Sequence, residues 1–176
     1  MFRIALLFLP SLICFVVALA ACLPWGAPLP VQFALPLLTM AVIFFWSVKR
    51  PDQLPSLIVF LIGLFTDLAT AGPMGYWPLI FLLAAVIAGY GRERLALGGD
   101  LIATTILYSV AVCAVSFVGW SLSSLFFLRA MPVRPLIEGG AIAIVAYPVI
   151  AYLLLPVNRV VGQAVQAGGF RGSDGT

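Results

Sequence analysis

The sequence predicts an all-α fold: a compact bundle of six transmembrane helices. Three observations carry that expectation. Hydrophobic residues make up 64% of the 176 and charged residues only 9%, with a mean hydropathy of +1.19, whereas a soluble domain carries roughly 25% charged residues. Too little polar surface remains to coat a water-soluble globule. Apolar runs recur that can each cross the roughly 30 Å of bilayer hydrocarbon at a rise of about 1.5 Å per residue. Finally, the breaks between runs alternate in basic content, as the loops of a multi-pass membrane protein do.

The first span is expected over residues 4–23 and the second over 31–48. Between them lies the uncharged turn Pro24-Trp25-Gly26-Ala27-Pro28-Leu29-Pro30, whose prolines cannot continue a helix. Lys49-Arg50-Pro51-Asp52-Gln53 makes the next break. The third span covers 54–71 and is interrupted only by Asp67. Gly72-Pro73-Met74-Gly75 turns the chain into a short fourth span over 76–90, which a polar segment from Gly91 to Asp100 follows. The fifth span, 101–128, is long enough to cross with a strong tilt. After the break at 129–134, Pro135 suits the first turn of a sixth helix over 136–155. The remainder, 156–176, is Gly-rich and reads as a flexible cytoplasmic tail, with Val157 to Val165 able to lie along the interface.

Placing the breaks alternately on two sides puts Arg3, Lys49, Arg50, Arg92, Arg94, Arg159 and Arg171 together and leaves Arg129 and Arg134 opposite them. Basic loops stay cytoplasmic, so both termini are expected in the cytoplasm. The bases are scattered between apolar runs rather than clustered, which argues against a nucleic-acid surface despite the net charge of +3. Met1-Phe2-Arg3 with Leu19-Ala20-Ala21-Cys22 also resembles a signal peptide with a lipoprotein cleavage box. Its apolar stretch is longer than a signal core of ~7 to 15 residues, and cleavage there would leave the other five spans unchanged.

Chemistry has few places to reside. There is no His, and Cys14, Cys22 and Cys113 all sit inside apolar runs, where they read as small packing residues. Neither metal-ligand spacing nor a disulfide framework is expected, nor any cofactor. Intramembrane carboxylates are costly, so Asp67 and Glu138 are the first candidates for function. Asp67 lies about 20 Å along its helix from the cytoplasmic side, near the outer headgroups. It is expected to hydrogen-bond another helix or the turn amides, with ion coupling as the alternative. Glu138 has a local account: an early helical position favours a carboxylate, and Arg134 is four residues back. Ser121, Ser123 and Ser124 have no His to activate them and are expected to bond their own helix. Small residues spaced by four, Ala84 with Ala88, Ala85 with Gly89 and Gly139 with Ala143, would let helices approach closely.

One stretch is more specific. Arg50-Pro51-Asp52 follows a second span containing Trp46; then come Gly63, Asp67-Leu68, and Gly72-Pro73-Met74-Gly75 leading into Pro78-Leu79. This arrangement resembles the rod shape-determining protein MreD family, in which a Gly precedes an Asp-Leu by four residues and a Pro-x-Gly turn opens the next helix. The specific part covers about Arg50 to Leu79; the rest is resemblance of architecture. It implies Arg50, Pro51, Asp52, Gly63, Asp67, Leu68, Pro73 and Gly75 as a structural or partner-binding motif. It also implies a non-enzymatic scaffold of the cell-wall elongation machinery in a bacterial inner membrane, acting in cell shape and peptidoglycan synthesis. The implied partners are MreC, MreB, and RodA with its partner transpeptidase. The family is similar in fold to the substrate-binding subunits of energy-coupling-factor transporters. A subunit that captures a small molecule such as a vitamin is therefore the alternative reading.

Overall fold

A computed structural model describes residues 9–23, 26, 29–95, 100–128 and 132–169. They form six α-helices and, among the described residues, no strand: α1 (Leu9–Ala21), α2 (Leu29–Lys49), α3 (Ser56–Thr70), α4 (Tyr76–Leu95), α5 (Leu101–Phe126) and α6 (Arg134–Gly169). A single 3₁₀ turn, Pro51–Gln53, links α2 to α3.

The helices occupy the apolar runs, and their ends follow local chemistry. Asp100 caps α5 by accepting from Ile102 N–H at 3.0 Å, which satisfies one of the orphan amides of the first turn. Pro135 falls in the first turn of α6, where the missing amide costs nothing. The clearest departure from the sequence reading is at the other end of α6. The helix does not stop near Leu155 but runs through Pro156 to Gly169, and Val161 and Gly162 are buried against the bundle. Packing of that face outweighs the loss of one amide donor at Pro156. The expected ends of the first span (4–8) and of the tail (170–176) lie outside the described residues.

α2 is the central element. Every residue from Thr39 to Val48 is buried, because α2 contacts α1, α4, α5 and α6; a helix hydrophobic all round is stable only with neighbours on all sides. An aromatic cluster joins three of these helices. Tyr108 on α5 stacks on Tyr147 of α6 with ring centroids 4.2 Å apart, and Phe44 of α2 meets both edge-on at 5.3 and 6.0 Å. Such geometry adds about 0.5–1.5 kcal/mol per pair beyond area burial. The Tyr108 hydroxyl donates to Leu37 carbonyl oxygen at 2.8 Å, so the one polar atom of that ring is satisfied.

Two described helices, α5 and the Arg134–Gln163 part of α6, are long and apolar enough to cross a membrane. Only 28% of the residues in their most apolar stretches are buried, so part of their apolar surface faces out of the bundle. Ile102, Ile106, Val110 and Phe117 on α5 and Val145, Val149, Tyr152 and Leu153 on α6 are exposed. Apolar surface on that scale marks contact with lipid or protein. The apolar parts of α1, α2 and α3 are shorter.

Candidate functional site

The tightest construction in the chain is the α3–α4 hairpin. Gly63 faces the start of α4 so closely that a Cβ on it would stand 2.5 Å from both Pro78 Cα and Pro78 N and 2.9 Å from the Trp77 carbonyl carbon. Glycine is therefore required by backbone contact, not by conformation. One turn on, on the same face of α3, Asp67 is buried at 1% exposure. Its backbone carbonyl accepts from Ala71 N–H and from Gly72 N–H at 3.2 Å, closing α3. Its carboxylate crosses the turn and opens α4: Oδ2 accepts from Gly75 N–H at 2.6 Å and Oδ1 from Trp77 N–H at 2.9 Å. Both amides belong to the first turn of a helix, where donors lack intrahelical partners and the dipole favours an anion. A single residue thus terminates one helix and caps the next.

The turn follows from its residues. Ala71 ends α3 in the left-handed region at φ 50°, and Gly75 has φ 93°, a conformation that glycine adopts without steric cost. Tyr76 N–H returns to the Pro73 carbonyl at 3.2 Å. Thr66 and Thr70 satisfy their hydroxyls on carbonyls of their own helix, Ile62 and Thr66, at 2.9 and 2.8 Å.

Of the eight residues singled out in the sequence, Gly63, Asp67, Pro73 and Gly75 come together in this hairpin. Leu68 does not join them; it is exposed on the outer face of α3. Arg50, Pro51 and Asp52 lie at the far end of α3, whose 15 residues separate the two groups by about 22 Å. There Pro51 starts the 3₁₀ turn, Asp52 is exposed, and Arg50 Nε–H donates to Asn158 Oδ1 of α6 at 3.1 Å.

Set against family models, curated proteins and solved structures, the chain matches none. The site is therefore judged by its own geometry.

Beside the hairpin lies a cavity of about 340 Å³, walled by Gly72 and Pro73 of the turn, Tyr76 and Trp77 of α4, and Ser116 and Ser123 of α5 among others. Tyr76 of α4 lines the cavity opposite Ser123 of α5. Gly119 makes room for it, since a Cβ there would sit 2.5 Å from the Tyr76 hydroxyl. Ser121 Oγ donates to Phe117 carbonyl oxygen of its own helix at 2.8 Å, whereas Ser116 Oγ and Ser124 Oγ are buried without a hydrogen-bond partner. Glu138 pairs with Arg134, Nε to Oε1 at 2.7 Å, on the exposed start of α6. The close-packing pairs divide by surroundings: Ala84, Ala88, Gly139 and Ala143 are buried inside the bundle, while a Cβ on Gly89 would meet nothing within 4 Å.

Sequence reasoning missed Trp77 as a ligand of Asp67, and Asn158 and Gly162 as the seat of Arg50. The available signal for the latter was an Asn and a Gly four apart beyond Pro156, hence on one helical face if the helix continues.

Proposed function

We propose that this chain is a multi-pass scaffold of the bacterial inner membrane that holds partners of the cell-wall elongation machinery, with MreC, MreB, RodA and its partner transpeptidase as the implied associates. In this reading all six helices cross the bilayer, α5 and α6 fully and the shorter ones with local thinning or tilt, and both termini face the cytoplasm. The observation that carries the proposal is the hairpin built on Gly63, Asp67, Pro73 and Gly75, whose carboxylate is consumed by two backbone amides. A carboxylate so engaged serves to fix helix geometry rather than to shuttle an ion or a proton. The exposed apolar faces of α5 and α6 supply helix-sized surface for lipid and partner spans. No catalytic role is assigned to any residue.

The test is recovery of tagged MreC with this chain in mild detergent. Stoichiometric recovery that falls when Asp67 is replaced by Leu supports the scaffold. The 340 Å³ cavity at the hairpin end favours one second reading, a subunit that captures a small molecule. That reading gains if the purified protein retains such a molecule and recovers no MreC.

A further inference from the structure

At the end of the molecule opposite the hairpin, Arg50 is half-buried between α2 and α6. Its guanidinium lies across Gly162, where any Cβ would run into Nη2. One turn back on α6, Asn158 accepts from Nε–H at 3.1 Å. A guanidinium carries five N–H donors in a fixed fork. Among the described residues, Asn158 takes one of them, and no carboxylate lies within ion-pair distance of Arg50. A tie between α2 and α6 needs only that one donor. Four donors and a full positive charge, partly withdrawn from water, are left for something else, and an unpaired charge in such a place is unfavourable. The surroundings are cationic: Lys49 precedes Arg50, and Arg159 follows Asn158 with its side chain exposed. The one acid close in sequence, Asp52, is exposed on the 3₁₀ turn.

We infer that Arg50, seated against Gly162 and flanked by Lys49 and Arg159, is the centre of a phosphate-binding site at this end of the bundle. A guanidinium fork matches phosphate oxygens in bidentate fashion. The inference rests on the membrane placement proposed above, which puts this end at the cytoplasmic leaflet, where anionic headgroups concentrate and basic pockets between helices hold them. The phosphate could equally be free in solution, and the experiment separates the two sources.

The full chain is reconstituted in phosphatidylcholine vesicles with and without cardiolipin, and bound lipid is counted by native mass spectrometry. Inorganic phosphate is titrated in a parallel arm without cardiolipin. Wild type retains cardiolipin. Arg50→Gln and Gly162→Ala, which displaces the fork while keeping the charge, lower retention about tenfold or more, the loss of one charge-assisted pair. Arg50→Lys retains an intermediate amount and guards against misfolding of the glutamine variant. Arg134→Gln, at the opposite end of α6, leaves retention unchanged. Arg50-dependent binding of inorganic phosphate with no cardiolipin retention keeps the site and assigns it to a soluble ligand. Equal retention by wild type, Arg50→Gln and Gly162→Ala overturns the inference, as does wild type that inserts and holds neither form. Failure of wild type to resist alkaline extraction from the vesicles would instead overturn the membrane placement.

Discussion

Replacing Gly63 by alanine adds one methyl group where the structure leaves no room for it. The new Cβ would stand 2.5 Å from two backbone atoms of Pro78 and 2.9 Å from a third in Trp77, against a relaxed carbon contact of about 3.5–4.0 Å. Backbone cannot rotate aside, so α3 and α4 must separate locally by roughly 1 Å. Overpacking of that kind costs about 1–3 kcal/mol. The same displacement stretches the bonds from Gly75 and Trp77 to Asp67, now 2.6 and 2.9 Å, toward the limit at which they cease to count. Losing one charge-assisted bond adds about 1.5–3 kcal/mol, and the better helix propensity of alanine returns about 0.5–1 kcal/mol. The expected net destabilisation is about 2–5 kcal/mol. Reversible unfolding in mixed micelles reads it directly. Gly89→Ala is the internal control, because its Cβ meets nothing within 4 Å; it should be neutral or mildly stabilising. Equal stability of Gly63→Ala and Gly89→Ala would refute the backbone-contact argument.

Asp67→Asn should lose about 1.5–3 kcal/mol and Asp67→Leu more, since both groups facing the carboxylate are N–H donors and an amide side chain can accept from only one of them; unfolding titrations of both variants check this, and an Asn variant as stable as wild type would contradict it. Fusions test the topology: a cytoplasmic reporter should be active after Arg50, Arg94 and Arg171 and a periplasmic one after Pro30 or Met131, and a periplasmic signal at Arg94 would break the six-span arrangement.

These expectations show where the sequence was readable. Apolar runs and their Pro and Gly breaks located all six helices, because period and turn chemistry are local properties. Pro156 misled, since whether a proline ends a helix depends on what the residues beyond it pack against, and Val161 and Gly162 find a buried seat. Asp67 was legible as a carboxylate that bonds the turn amides or another helix, but not that it bridges Gly75 and Trp77 at once. That both of its partners are N–H donors, so that only acceptors are useful there, is visible in the structure alone. Arg50 read as a topology marker; its partner Asn158 lies 108 residues away, and no local pattern joins them.

The scaffold proposal is tested most directly by cell shape. Depleting the chain in a rod-shaped host should give rounded cells, with wild type restoring rods. Asp67→Leu should fail to restore them, and Ala85→Leu, which adds bulk beside the open surface at Gly89, should restore them only in proportion to its recovery of MreC. Rods that persist on depletion while uptake of a small molecule is lost would contradict it.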